Sequence, residues 1–286
     1  MEVRPRGTGA LIDDAIAMYR ANARPILLAA LVSVFPAALL VGIGQELYLR
    51  TFFEVVAASP GVSGPALPYE VLLGYGAVMA GAWLMLFGRA YLDTCVIAAA
   101  PRMMQQRVTD VRTFLKEGLP RYGWYLLTSW LVGILVQIAA VLSFVALFLG
   151  GLVAWALLSL AAAISVLERV DTAKAIKRSV ELARPHLGRI LRLVVFVALL
   201  TTLFEGALAS PLIVRQIVAA VQNPEAVFQQ TPLAWKIVEG IVLAGAMTLV
   251  APFAPLATFA LYTDVRARSE GMDIIIRARR LAERRK

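Results

Sequence analysis

Four polar side chains lie in or beside the long apolar segments of this chain, where a charge or an amide is costly and is often functional. They are Arg89, Asp93, Gln137 and Glu205. Arg89 and Asp93 are four residues apart, so on a helix they share a face and can form an ion pair. At membrane depth such a pair can gate a path, hold a solute or bind a lipid headgroup. At the end of a span it would instead lie in the interface.

The other two polar residues are expected at different depths. Gln137 is expected to hydrogen-bond between helices rather than to bind a substrate. Glu205 is about fifteen residues into its apolar segment, which at 1.5 Å per residue places it near the far side of a membrane. Glu239 begins the last apolar segment on that same side. The two carboxylates therefore predict either an outward-facing acidic site or simple placement at the headgroups.

Residues for metal or nucleophilic chemistry are scarce. Cys95 is the only cysteine, which excludes an intrachain disulfide and a metal site built on several cysteines. His186 is the only histidine and lies among arginines. The sequence contains no glycine-rich phosphate loop, no metal-spaced cluster and no nucleophile with a base partner. We therefore expect a non-enzymatic protein with no cofactor and no metal.

The elements that position these residues are predicted to be membrane spans. The chain is 60% hydrophobic, its mean hydropathy is +0.75, and residues 122–167 contain no charged side chain. Since about 20 apolar residues cross a bilayer, that stretch predicts two spans joined by a turn at Gly150-Gly151. We expect an all-α integral membrane protein with six spans, the last kinked by Pro252 and Pro255. The predicted spans are 26–44, 71–100, 124–149, 152–167, 190–210 and 241–263.

The basic residues predict the orientation of these spans. Segments 1–24, 101–122, 168–192 and 263–286 hold 24 of the 28 lysines and arginines, whereas segments 45–70 and 211–240 hold three. Basic loops remain in the cytoplasm, which places both termini there. The same rule accounts for the net charge of +9, so no nucleic-acid partner is expected.

An internal repeat is indicated by one pattern. Ala-Ile, six residues and then Ala-Arg-Pro occur at 15–25 and again at 175–185, with a looser copy near 111–122. Helical apolar spacing with basic residues predicts three amphipathic helices in the cytoplasmic interface. The chain then forms one membrane domain, 1–286, with parallel units at about 9–100, 107–167 and 171–263 and a basic tail at 264–286. Alternatively, any cytoplasmic helix that enters a membrane has this pattern.

Charged residues at the cytoplasmic ends of the fourth and sixth spans are expected to fix the interfacial helices to those ends. Glu168 is expected to cap a helix or to pair with one of three basic residues: Lys174, Arg178 or Arg192. Asp264 is expected to pair with Arg266 or Arg268. The whole predicted network comprises Glu168, Arg178, Ser179, Tyr262, Asp264, Arg266, Arg268 and Glu270.

A basic rim is also predicted on the cytoplasmic side. Basic residues near a membrane surface attract anionic headgroups by about 1 kcal/mol each. The predicted partners are therefore membrane lipids with anionic headgroups. The rim residues are Lys174, Lys177, Arg178, Arg279, Arg280, Arg284 and Arg285.

Three stretches carry a family resemblance: 12–25 (IDDAIAMYRANARP), 167–185 (LERVDTAKAIKRSVELARP) and 261–273 (LYTDVRARSEGMD). They resemble the membrane domain associated with glycerophosphoryl diester phosphodiesterases, a family that includes stand-alone prokaryotic membrane proteins. The resemblance implies a six-helix domain in a prokaryotic plasma membrane. It does not imply phosphodiesterase activity, because that chemistry belongs to a separate soluble barrel with acidic metal ligands and histidines.

Two functions follow as expectations. The first is a membrane scaffold or regulatory domain that binds lipid or a membrane or cytoplasmic protein. The alternative is a transporter or channel for a small or lipid-like solute, with Arg89, Asp93 and Glu205 along its path. A water-filled cavity at Arg89 and Asp93 would favour transport, whereas a filled core there would favour a scaffold.

Overall fold

The computed structural model describes residues 7–58, 69–105, 110–143, 149–222 and 233–270. Over these ranges the chain is helical and contains no strand, with 3-10 turns at Leu119–Arg121 and Arg184–His186. The helices are α1 Thr8–Ala21, α2 Ala23–Ser33, α3 Phe35–Ala58, α4 Tyr69–Met103, α5 Val111–Gly118, α6 Tyr122–Leu142, α7 Leu149–Leu158, α8 Ala161–Leu167, α9 Thr172–Ala183, α10 Leu187–Gln222, α11 Leu233–Val250 and α12 Phe253–Glu270.

Five helical stretches in the described part of the chain are long and apolar enough to cross a membrane. They are Val71–Met103, Val111–Leu142, Leu149–Leu167, Thr172–Pro211 and Ile237–Glu270. The count becomes six if the bent pair of α1 and α2 is one span. Over the described ranges, the prediction of an all-α fold with several helices able to span a membrane is therefore confirmed.

The first predicted span, 26–44, is not one continuous helix. The α2 helix ends at Ser33 and α3 begins at Phe35. Pro36 lies in the first turn of α3 and has no N–H to donate to the carbonyl four residues earlier, so the helix is interrupted there. The apolar composition of the segment did not reveal this break.

The predicted turn at Gly150-Gly151 is wrong. The α6 helix ends at Leu142 and α7 begins at Leu149, so both glycines are helical. A Cβ atom at Gly151 would lie 2.6 Å from the Cβ of Ala140, and one at Gly150 would lie 2.7 Å from the Cβ of Ser143. The glycine pair therefore lets α7 approach α6 closely and does not reverse the chain.

Both predicted outer loops are partly helical. The α3 helix continues to Ala58 and α10 continues to Gln222. Hydropathy falls near residues 45 and 211, but it reports the solvent around a helix rather than where the helix ends. Between these helices and the next ones, residues 59–68 and 223–232 lie outside the described ranges.

The predicted break in the last span is present. The α11 helix ends at Val250 and α12 begins at Phe253, with Pro252 between them and Pro255 in the first turn of α12. Proline lacks the N–H that would continue the helical hydrogen bonds, which explains the position of the interruption.

The structure does not confirm the threefold repeat. The α1 and α2 helices meet at 84°. By contrast, α9 and α10 belong to one candidate span, Thr172–Pro211, of 40 residues. The two segments with the best sequence match therefore enter their apolar helices at different angles, and three interfacial helices are not established.

The chain divides into two compact units. The first contains the described residues of Met1–Ala29, Ala90–Leu200 and Pro252–Lys286, and the second contains those of Ala30–Arg89 and Thr201–Ala251. In the first unit, α12 is buried along most of its length and packs against α1, α8 and α9. In the second, α3 packs against α11.

Candidate functional site

The site lies in the first unit and begins with the turn that follows α8. Arg169 has φ of 57°, the left-handed conformation that commonly ends a helix. Two residues later, Asp171 starts α9, and its carboxylate accepts a hydrogen bond from the Lys174 N–H at 2.9 Å. This N-cap satisfies one of the free amides at the start of α9. The turn and the cap together allow α9 to pack against α8.

Small residues on one face of α9 hold it against the apolar helices. Its buried residues are Thr172, Ala175, Ser179, Leu182 and Ala183. The hydroxyls of Thr172 and Thr128 are 3.0 Å apart, which links α9 to α6. The Ser179 hydroxyl donates to the Leu157 carbonyl at 2.7 Å, which links α9 to α7.

Five side chains from the end of α8, from α9 and from α12 form a closed ring of polar contacts, hereafter the five-residue ring. Arg178 pairs with Glu270 and lies 3.6 Å from Glu168 through its Nε. Glu270 accepts a 2.7 Å hydrogen bond from the Nε of Arg266. Arg266 donates to the Tyr262 hydroxyl at 2.9 Å, and Tyr262 donates to Glu168 at 2.8 Å. Each carboxylate of the ring thus has an arginine and a second donor.

A buried carboxylate lies beside the ring on α12. Asp264 is 4% exposed, and its Oδ2 atom lies 3.0 Å from the Arg268 Nε and 3.0 Å from an Arg189 terminal nitrogen. A buried charge needs such partners because its desolvation is costly. Asp264 therefore joins α12 to the first turn of α10.

The contacts differ in part from those expected from the sequence. Glu168 pairs with Arg178, whereas Lys174 pairs with Asp171 at 2.8 Å. Asp264 pairs with Arg268, as its i, i+4 spacing indicates, but Arg266 pairs with Glu270.

Sequence reasoning missed Arg189. In the sequence it is one of the arginines that surround His186. Its partner Asp264 is 75 positions away in the chain. No local spacing pattern relates two residues so far apart.

These contacts occupy Arg178, one of the residues of the predicted basic rim. Arg178 is engaged in the five-residue ring, so on α9 the exposed lysines are Lys174 and Lys177. The side-chain hydrogen bond from Lys174, followed by its backbone N–H, holds the pKa of Asp171 below its usual value. The rim residues Arg279, Arg280, Arg284 and Arg285 lie outside the described residues.

Asp93 lies against a packed core. It accepts a hydrogen bond from the Tyr125 hydroxyl at 3.2 Å. Tyr125 belongs to a buried apolar cluster with Ala90, Ile97, Ala163 and Val166. Arg89, one turn before Asp93 on α4, is partly exposed and belongs to the second unit.

The other two polar residues have separate surroundings. Gln137 is exposed on α6 and lines an open groove of about 440 Å³ between α6 and α7. Glu205 lies partly buried on α10 in the second unit. There too, Glu239 accepts a 3.0 Å hydrogen bond from the indole N–H of Trp235. The residues expected along a transport path thus belong to different units: Asp93 to the first, and Arg89 and Glu205 to the second.

No family model, no curated protein and no solved structure matches this chain. Over the described ranges, no group of three or more His, Cys, Asp or Glu residues is placed to hold a metal ion. The described arginines and carboxylates of the site instead bind one another and join α8, α9, α10 and α12.

Proposed function

We propose that this protein is a non-enzymatic scaffold or regulatory domain of a prokaryotic plasma membrane that binds anionic lipid headgroups through α9. The proposal includes cytoplasmic termini and membership of the phosphodiesterase-associated membrane-domain family that the motifs resemble. One observation supports it above all: the five-residue ring engages Arg178, while Lys174 and Lys177 remain exposed on α9.

The length of the helix that contains α9 supports a position at the membrane surface. The candidate span Thr172–Pro211 has 40 residues, which at 1.5 Å per residue is about 60 Å. A hydrocarbon core is about 30 Å thick, so a large part of this span must lie outside it or be strongly tilted. The α9 end is the charged one. The cytoplasmic leaflet, where basic loops are retained, carries the anionic lipids that attract lysine.

The five-residue ring gives α9 a fixed position. It connects α9 to the end of α8 and to α12 through both carboxylates, so the exposed lysines are presented on a braced helix. Long lysine side chains can extend their ammonium groups toward phosphate oxygens while their stems lie on apolar surface.

The surroundings of Asp93 favour a scaffold over a transporter. Transport through the region of Arg89 and Asp93 would need water and room for a solute. Instead, Asp93 accepts a hydrogen bond from Tyr125, which is 8% exposed and belongs to a cluster with four buried aliphatic residues. A filled core at this point is the arrangement expected of a static scaffold.

The test uses the double variant Lys174→Gln/Lys177→Gln, purified in nanodiscs that contain phosphatidylglycerol and phosphatidylethanolamine. We expect less co-purified anionic lipid and roughly tenfold weaker selectivity, from about 1 kcal/mol per lysine with partial screening. The difference from the wild type should shrink at high salt because the Debye length shortens.

The matched control is Lys174→Arg/Lys177→Arg, which keeps both charges and should retain the lipid. Orientation must be measured on the same samples, since basic residues also direct insertion. An unchanged lipid content in a correctly oriented Gln variant would disprove headgroup binding by α9.

A further inference from the structure

The lateral surface of α6 is the most open among the candidate spans. In the apolar part of Val111–Leu142, 11% of the residues are buried, against 17% to 50% in the apolar parts of the other four candidate spans. Exposed apolar residues alone need no partner in a membrane, because lipid tails cover them. Two residues on one face of α6 are unlike the rest of this surface.

These residues are Gln137 and Gly133, one helical turn apart. Gln137 is exposed. A Cβ atom at Gly133 would meet no heavy atom within 4 Å, so this glycine is not explained by packing inside the protein. An amide that faces hydrocarbon is costly, and a surface glycine allows a second helix to approach closely. Together they have the character of a helix–helix contact surface.

The adjoining groove gives this surface its shape. It runs between α6 and α7 and is lined by Val136, Gln137 and Ala140 on one side and by Leu149, Gly151 and Trp155 on the other. A helix that crosses α6 near Gly133 could place side chains in the groove while it contacts the Gln137 amide.

We propose that this surface, defined by Gly133, Gln137 and the α6–α7 groove, binds a second copy of this chain. A carboxamide has donors and an acceptor, so two Gln137 side chains related by a twofold axis satisfy each other with reciprocal hydrogen bonds. A second copy therefore supplies the complementary group and the complementary glycine at the same crossing point. The proposal is independent of lipid binding by α9.

Cysteine cross-linking in liposomes tests the surface directly. Cys95 is the only cysteine and is fully buried, so the background is low. At about 100° per residue, Ile134 and Val141 lie on the Gln137 side of α6, whereas Leu135 and Leu142 lie on the opposite side. All four are exposed. We expect Ile134→Cys and Val141→Cys to form intermolecular disulfides, and Leu135→Cys and Leu142→Cys to form few.

A second test measures the affinity of the dimer. Fluorescence energy transfer between labelled copies is followed in liposomes as the protein is diluted with lipid. Gln137→Leu should weaken the dimer about tenfold, equal to about 1.4 kcal/mol and typical of an interhelical hydrogen bond. Gln137→Asn should retain part of the affinity, and Gly133→Leu should block close approach. Gly206→Leu, which adds the same side chain at an open, exposed position of α10, should have no effect.

Three results would overturn the proposal. The first is a wild-type protein that stays monomeric at all protein-to-lipid ratios. A monomer that retains a lipid in the groove counts as the same result. The second is dimerisation of Gln137→Leu with wild-type affinity. The third is cross-linking that is stronger at Leu135→Cys and Leu142→Cys than at Ile134→Cys and Val141→Cys.

Discussion

Arg178 is the side chain on which the site depends most. It alone contacts both carboxylates of the five-residue ring, Glu168 and Glu270. Its side chain is 32% exposed and that of Glu270 is 26% exposed, so water screens these pairs only in part. Partly buried, hydrogen-bonded ion pairs contribute more than surface pairs, and removal of one partner leaves the others uncompensated.

Replacement of Arg178 by Gln is therefore expected to lower the free energy of unfolding by about 1–3 kcal/mol. Denaturation by sodium dodecyl sulfate in mixed micelles measures this change. Lys177→Gln, the adjacent exposed residue, is the control and should change stability by less than about 0.5 kcal/mol.

A double-mutant cycle that combines Arg178→Gln with Glu270→Gln tests whether the two residues are energetically coupled. Because both changes remove the same contact, the double variant should lose less stability than the two single variants combined. Strict additivity would show that Arg178 and Glu270 are not energetically coupled and that the ring is not a unit.

At the scale of the elements, close packing of α6 against α7 decides the structure of the long uncharged stretch 122–167. Gly150 and Gly151 are the residues that permit it. A Cβ atom at Gly151 would lie less than 3.0 Å from Ala140 of α6, and one at Gly150 less than 3.0 Å from Ser143, the C-cap of α6. Without a hydrophobic driving force between helices in lipid, such backbone approach is a principal source of stability. A glycine pair is read as a turn when only the sequence is considered, because glycine favours both turns and close contacts.

Gly151→Ala is expected to destabilise the α6–α7 pair by about 1–3 kcal/mol through overpacking against Ala140. The same denaturation assay applies. Gly123→Ala is the matched control, because a Cβ atom there meets nothing within 4 Å. A helical glycine in open space should gain up to about 1 kcal/mol on this change. Equal effects at the two positions would mean that the α6–α7 contact is not tight.

At the scale of the whole molecule, the number of spans decides the orientation of the termini. Five spans would place the two ends of the chain on opposite sides of a membrane, and six would place them on one side. The described part of the chain contains five candidate spans, and a sixth if the bent pair of α1 and α2 is one span. The distribution of 24 basic residues against three favours six crossings, with the basic segments inside.

Reporter fusions resolve the count. Fusions at positions 60 and 225 are expected to report the outside, and fusions at 112, 180 and 286 the inside. Position 60 is the decisive one, because it follows the interrupted segment α2–α3. An inside signal there, with the other four as expected, would require an even number of crossings between positions 60 and 112, which a single pass of the long α4 helix cannot provide. That contradiction would require α3 or α4 to be re-entrant.

Local properties of the sequence determined much of this protein. Hydropathy averaged over about 20 residues located five of the candidate spans, because the need to remove apolar side chains from water does not depend on the rest of the fold. Proline predicted the interruption at Pro252, and Arg268 was one of the two partners expected for Asp264. Each of these features depends on residues within about 20 positions of one another in the chain.

The sequence placed the five ring residues in one predicted network, but tertiary structure decided which of them pair. Arg178 meets Glu270 across 92 positions of the chain, and Tyr262 meets Glu168 across 94. Which of several arginines faces which carboxylate depends on how α9 and α12 pack, and composition and periodicity do not encode that choice. The same reason explains why Arg189 was missed, why Arg178 belongs to the ring rather than to the basic rim, and why Gly150-Gly151 packs helices instead of turning the chain.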